Sequence, residues 1–363
     1  MITLINATIA HPDHRLPQPV SLRIDDDEQV AVVGANAAGK SRLVDLIIGQ
    51  WPLREGRQEF AFKSAVPRKV SQNVKYISFR DSYGEADTTY YLQQRWNLHD
   101  IDEAMPTAGQ VLQRALDAAN ACDAGAAAQP TDMRQCLLSM FGLADMLDKR
   151  IITLSSGELR KLQLIRALLS APCMLVIDNP FVGLDAEARE DLCKMLKLLI
   201  HKTGLQVMLV VNRLSDIPGF ITHVIPVAPQ GKVSGKMAWH GTDAERKTLT
   251  AVAGLDTSPT VLDETTRQLL TRLTTRATDT GCLAHGCEVL RFNKVSLTYG
   301  GCTILKDIDW TVECGQRWSL TGPNGAGKSA LLSLVCADNP QAYACDISLF
   351  GKRRGTGESI WDI

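Results

Sequence analysis

The chain has 363 residues, 45% hydrophobic and 22% charged, with a formal net charge of -1. This is the composition of an ordinary globular protein with room for roughly two domains. It excludes a polybasic nucleic-acid or membrane surface as the organising feature. Ten cysteines without a repeating spacing read as free thiols in a reducing cytosol, not as a disulfide framework. The start, MITLINATIAHPDH, lacks the basic region and long apolar stretch of a signal peptide. The strongest apolar run, Val207 to Val211, is too short to span a bilayer. The expected location is cytoplasmic, any membrane role being that of a peripheral subunit at the inner membrane.

From the N-terminus, short alternating strands lead to a predicted strand at Gln29 to Val33. It runs into Gly34-Ala35-Asn36-Ala37-Ala38-Gly39-Lys40-Ser41, a GxxxxGK[ST] loop, and then a helix. In such a loop closely spaced backbone N–H groups point at phosphates, and the helix adds its positive N-terminal dipole. Lys40 would reach the β- and γ-phosphates of a nucleotide, and Ser41 would coordinate Mg²⁺. Alanine keeps its N–H, so Ala37 and Ala38 are compatible with phosphate binding provided φ stays negative there. A strand is predicted at Val74 to Ser78, and residues 124–130 read as a loop between helices. Leu137, Leu138, Phe141, Leu143, Met146 and Leu147 read as helical core.

Leu154-Ser155-Ser156-Gly157-Glu158 then precedes a helical pattern from Leu159 to Leu169. Ser155 and Glu158 have the spacing of a capping box, and a helix N-terminus offers donors to a phosphate. The next strand, from Met174, ends at Asp178, whose carboxylate can hold the water shell of Mg²⁺. Pro180 and Gly183-Leu184-Asp185 follow, and a further core strand ends in LVVNR at Asn212 and Arg213. Glu245 to Glu288 is a Thr-rich linker with one helical stretch near Val261 to Arg276. Its five Lys/Arg balance six Asp/Glu. Cys282, His285 and Cys287 offer three potential metal ligands without a fourth nearby, so a structural zinc site is not expected.

The remainder repeats the beginning. Gly322-Pro323-Asn324-Gly325-Ala326-Gly327-Lys328-Ser329 is a second GxxxxGK[ST] loop, with Gly322 lying 288 residues after Gly34. At that offset Leu4 meets Phe292, Ile9 meets Leu297, Val20 meets Ile308, Ile24 meets Val312 and Val32 meets Leu320, without a gap. The duplicated unit is a whole domain, not a solenoid repeat. Lys328 and Ser329 take the roles of Lys40 and Ser41, and a strand is predicted at Arg317 to Thr321. Lys352-Arg353-Arg354 reads as a solvated turn.

Together these motifs resemble the ATP-binding cassette superfamily. Gly34 to Ser41 resemble its Walker A loop and Met174 to Asp178 its Walker B strand. Leu154 to Glu158 resemble its signature, with Ser156 in place of the commoner Gly, and Gly183 to Asp185 its D-loop. The resemblance implies an α/β P-loop fold: a parallel-sheet ATP core, an antiparallel β subdomain and a helical subdomain, with ATP and Mg²⁺ as cofactors. It also implies that a second cassette closes on the first, ATP being held between the P-loop of one and the signature of the other. The composite site expected from this chain pairs Gly322 to Ser329 with Leu154 to Glu158. Asn339 to Tyr343, Leu349 to Ile363, IDNPFVGLD and VVNRLSDIP are similar to the ModF-type tandem ATPases, a group associated with molybdenum transport and with photorepair. That similarity implies a link to molybdate transport and to membrane permease subunits.

Three positions depart from the superfamily's pattern. The Glu that follows the Walker B Asp is Asn179, which can orient water but cannot take its proton. The switch His aligns with Asn212. The Gln expected after Ser78 is absent, since Phe79, Arg80 and Asp81 stand there; Gln93, Gln94 or another group in Tyr90 to Trp96 is the alternative. The aromatic that stacks on adenine aligns with His11 in the first copy and Tyr299 in the second. The first site is thus expected to bind nucleotide and hydrolyse it poorly. Counterparts of Leu154 and Asp178 would fall near 442 and 466, so the second cassette is expected to be incomplete, with Leu331, Leu332 and Leu334 partly exposed. The expected domains are 1–244, a first cassette; 245–288, the linker; and 289–363, the N-terminal part of a second cassette. An energy-coupling ATPase is the leading reading, an ATP-gated clamp the alternative, and a ribosome-acting factor with a long basic linker the least favoured.

Overall fold

The computed structural model describes residues 1–62, 69–78, 106–122, 137–139, 146–151, 154, 156–255, 264–269, 271, 287–299, 302–322, 326–336 and 339–354. They form two compact units, the first ending by residue 255 and the second beginning at 264.

The first unit opens on β1 (Ile2–Ile9), which pairs antiparallel with β2 (Val20–Ile24) and β4 (Leu53–Phe60) in a three-stranded sheet. Burial along β1 changes phase between Leu4 and Ala7. The cause is a bulge at Asn6, whose φ is 47° and whose N–H donates to the Ser21 hydroxyl at 2.9 Å. The larger sheet has the order β10-β8-β3-β7-β6-β5, with β9 pairing off β8. Its members are β3 (Val30–Val33), β5 (Val74–Ser78), β6 (Met174–Asp178), β7 (Gln206–Val211), β8 (His223–Ala228), β9 (Lys232–Val233) and β10 (Met237–Ala238). The ladders joining β8, β3, β7, β6 and β5 are parallel. VAVV, MLVID and QVMLVV are continuous apolar runs because those strands are covered on both faces, and nearly every residue in them is buried. Helix Lys40–Ile48 packs Leu43, Val44, Leu46 and Ile47 into the same core. Burying each such side chain stabilises the fold by about 1.5–3 kcal/mol.

Leu137 and Met146 of the expected helical core are buried; Phe141 and Leu143, and the expected loop 124–130, lie outside the described residues. Helix Asp243–Ala253 runs across residue 244, where the first cassette was expected to end. Thr242 and Glu245 cap it reciprocally, and Leu249 and Ala253 are buried. Residues 264–269 of the expected linker helix are helical.

In the second unit, β11 (Glu288–Tyr299), β12 (Cys302–Glu313), β13 (Ile347–Leu349) and β14 (Lys352–Arg353) form an antiparallel sheet in the order β12-β11-β13-β14. Here the duplication is visible atom by atom. Leu4↔Leu22 and Ala7↔Val20 in the first unit correspond to Phe292↔Trp310 and Val295↔Ile308 in the second. The bulge recurs at Lys294, whose φ is 45° and whose N–H donates to Asp309, the counterpart of Ser21, at 2.8 Å.

Three expectations for this unit are corrected. Arg317 to Thr321 form no ladder, and Trp318 and Leu320 are exposed. Their counterpart β3 is a strand only because β7 and β8 flank it, and neither has a counterpart among the described residues of the second unit. Leu331 and Leu334 are buried against Phe292, Leu297 and Ile347, so the small sheet covers them; Leu332, on the opposite face of helix Lys328–Val335, is exposed. Arg354 is buried, not solvated: its guanidinium donates to the Val335 carbonyl at 2.6 Å, satisfying an orphan acceptor at that helix's end.

Candidate functional site

The carboxyl ends of β3 and β6 lie side by side across β7, where open parallel sheets form ligand crevices. The Gly34–Ser41 loop leaves β3 there. Gly34 is required by space, since a Cβ would come within 2.4 Å of the Val227 carbonyl oxygen. Gly39 is required by conformation, with φ of 97°. Ala37 corrects the expectation of a negative φ: it lies at 61°, where a Cβ costs about 1–2 kcal/mol. The curvature that aims successive N–H groups into one hollow demands this turn whatever residue occupies it. Lys40 folds back over the loop, donating to the carbonyls of Gly34 at 2.9 Å and Ala35 at 2.7 Å. Its ammonium thus sits over the loop's hollow. Ser41 is exposed at the first turn of the helix. Ala35, Asn36 and Ala38 complete the loop, with Ala38 buried.

The second loop repeats this geometry where it is described. Gly327 has φ of 84°, and Lys328 donates to the Gly322 carbonyl at 2.7 Å. Ala326 and Ser329 are exposed, while Pro323, Asn324 and Gly325 lie outside the described residues, as does the side chain of Tyr299.

At the end of β6, Asp178 is 2% exposed. Its Oδ1 accepts from the Asn179 amide at 2.8 Å and its Oδ2 from the Tyr76 hydroxyl at 3.0 Å. Asn179 in turn accepts from the Asn212 amide at 2.9 Å. The amide orientations follow from chemistry. An ionised carboxylate only accepts, so Asn179 turns its NH₂ toward Asp178 and its oxygen toward Asn212, which must then present its own NH₂. Asn212 is left with a buried oxygen that has no partner among the described residues. The two positions at which the superfamily's Glu and His were expected are thus joined to each other and to the carboxylate. Asn179 has φ of 52°, a backbone that Asn tolerates better than Glu. Among the described residues Asp178 has these two neutral donors as partners and no cation. Buried charges are paired or bind metal, so the donor set fits Mg²⁺ held through its water shell.

Elsewhere in the first unit, Leu154 is buried and Gly157 and Glu158 lie in the first turn of helix Ser156–Leu168; Ser155 and the side chain of Ser156 are outside the described residues. Arg160 of that helix donates to the carbonyls of Pro180, at 2.7 Å, and Val182. It thereby ties the expected signature helix to the segment that leads into the expected D-loop, a link no motif announced. Gly183 has φ of 75°, and Asp185 caps helix Ala186–Thr203 by accepting from Ala188 N–H at 2.8 Å. His11 sits in a ring cluster, 5.0 Å from Trp51 and 5.1 Å from His14. Phe79 to Asp81, Gln93 and Gln94, and Cys282 and His285 lie outside the described residues. Tyr76 and Trp51 were missed by sequence reading; the contact of the former follows from the pairing of β5 with β6, which puts Tyr76 opposite Val176 and two residues below Asp178's level.

No helix among the described residues is long and apolar enough to cross a membrane. The family model described as "ABC transporter" matches residues 17–182 and 305–352. The chain is 30% identical over 373 residues to the ABC transporter ATP-binding protein ModF of Escherichia coli (strain K12), covering 100% of this chain and 68% of that protein. It is 26% identical over 366 residues to an uncharacterized ABC transporter ATP-binding protein of Schizosaccharomyces pombe, covering 100% and 69%. The chain therefore spans about two thirds of the length of these relatives. Among solved structures it is similar to an ATP-binding cassette of an ABC transporter with a TM-score of 0.52 at 17% identity, covering 70% of this chain and 98% of that one.

Proposed function

Because the chain belongs to the ABC transporter ATP-binding family, we propose that it is a tandem-cassette ATPase component whose first P-loop site binds Mg²⁺–ATP while turning it over slowly. The observation that carries this reading is the Asp178–Asn179–Asn212 chain. Lys40 and the loop N–H groups supply the phosphate cradle, and Ser41 and Asp178 would hold Mg²⁺, which neutralises phosphate charge when bound. Asn179 stands where a general base is needed, and its amide accepts no proton. Without that group a contribution of about 10²–10⁴-fold to hydrolysis is lost.

The finer parts of this reading rest on motifs. Residues 1–244, extended by helix Asp243–Ala253, form the first cassette, the residues from there to 288 the linker, and 289–363 part of a second cassette. Gly322 to Ser329, with Tyr299 for the base, form the second nucleotide loop, which closes against Leu154 to Glu158. A cytoplasmic protein serving permease subunits for molybdate is the transport version. The bound-up amides equally support an ATP-gated clamp not coupled to a transporter, since a clamp needs binding and slow release. Nucleotide affinity and phosphate release measured on the purified chain test the core statement. Magnesium-dependent ATP binding with release near background is expected; robust release by the pure chain would overturn it. Copurification of a membrane permease would separate the transport version from the clamp.

A further inference from the structure

The hydroxyl of Tyr76 belongs to none of the motifs, yet it makes one of the two contacts that Asp178 has among the described residues. We propose that Tyr76 is a positioning residue of the nucleotide site: by donating to Oδ2 it fixes the carboxylate that receives the Mg²⁺ water shell. The inference rests on the reading of Gly34–Ser41 and Asp178 as a Mg²⁺–nucleotide site.

The geometry comes from the sheet. β5 and β6 are parallel neighbours, with Tyr76 level with Val176 and Ser78 level with Asp178. Tyr76 and Asp178 therefore project on one face, and the long phenol spans the two-residue offset to place its oxygen 3.0 Å from Oδ2. An ordinary phenol is protonated near neutral pH, so the hydroxyl is the donor and the carboxylate the acceptor. Each carboxylate oxygen has two acceptor sites. Asn179 uses one on Oδ1 and Tyr76 one on Oδ2, leaving one on each for metal-bound water. Two donors on opposite oxygens also stop rotation about the Cβ–Cγ bond. The superfamily's Gln is missing just beyond this strand, so Tyr76 is the described β5 side chain that reaches the carboxylate. Tyr76 is 42% exposed, so removing only its oxygen leaves the core intact.

The test compares wild type, Tyr76→Phe and Asp178→Asn, each in a Lys328→Ala background that silences the second loop. The readout is ATP affinity, by calorimetry, with Mg²⁺ and with EDTA. Tyr76→Phe is expected to reduce the Mg²⁺-dependent gain in affinity about tenfold, as for loss of a hydrogen bond to a charged group. Affinity in EDTA should stay within about twofold. Asp178→Asn should abolish the gain and so set the scale. A gain unchanged or increased in Tyr76→Phe would overturn the proposal, and so would an equal loss with and without Mg²⁺, which is what a merely structural role would give. A wild-type first loop with no Mg²⁺-dependent gain would overturn the site reading, and the proposal with it.

Discussion

The two glycine loops sit at equivalent positions of a duplicated sequence, yet they stand on different foundations. The strand leading into the first, β3, is flanked by β7 and β8, and Val30 and Val32 are wholly buried. The segment leading into the second, Arg317 to Thr321, has no ladder, and Trp318 and Leu320 stand 60% and 42% exposed. What precedes them shares, in both copies, the bulges at Asn6 and Lys294 and the cross-strand register beside them. An antiparallel hairpin closes on neighbours in sequence. A parallel strand needs partners from far along the chain, here residues 206–228. Local pattern alone carries the first kind of structure and not the second.

The largest expected contrast comes from Val32→Asp and Leu320→Asp. An unpaired carboxylate in the core of the large sheet should cost more than about 4 kcal/mol and unfold the first unit. The same change at Leu320, made in a chain of these 363 residues, should stay within about 0.5 kcal/mol. Peptide-resolved hydrogen exchange on the two variants reads this directly; equal protection losses would erase the distinction drawn between the loops.

The loops can next be compared by function. Lys40→Ala removes the ammonium held over the first hollow and should weaken Mg²⁺–ATP binding there by about 10- to 100-fold. Lys328→Ala should do the same at the second loop and leave the first untouched, so titration of the single variants should each lose one binding event. A first-site affinity that follows Lys328 would mean that the loops do not act separately.

Asn179→Glu probes what is peculiar to the first site. The new carboxylate would lie beside Asp178 at a backbone φ of 52° and would lose the NH₂ that Asn179 donates to Asp178 Oδ1. Like-charge crowding and left-handed strain should cost about 2 kcal/mol of stability. Phosphate release should rise, but by less than the roughly 10²-fold of a well-placed base. A chemical melt and a phosphate-release assay on one sample check both; recovery to the rate of an efficient cassette would show that Asn212 does not matter.

The smallest effect sharpens the comparison loop against loop. Ala37 holds a left-handed turn at the position where the second copy has Gly325. Ala37→Gly removes the Cβ strain while giving back some unfolded-state entropy, for a net gain of about 0.5–1 kcal/mol. A shift of the melting temperature upward, with ATP affinity equal or better, is the expected result.

The primary structure by itself determined the duplication, the two phosphate loops, the Walker-type strand ending at Asp178 and the amides at 179 and 212. These are local, because a glycine pattern, an apolar run and a residue's own chemistry can be read in place. Only the tertiary structure decided that Ala37 turns left-handed and that Arg354 is buried under a helix end. It alone joined Asp178, Asn179, Asn212 and Tyr76, which come from three separate strands and their ends. Spacing along the chain does not encode which strands lie side by side. That is set by which partners can cover each buried face, and by the hydrogen bonds left over once they do.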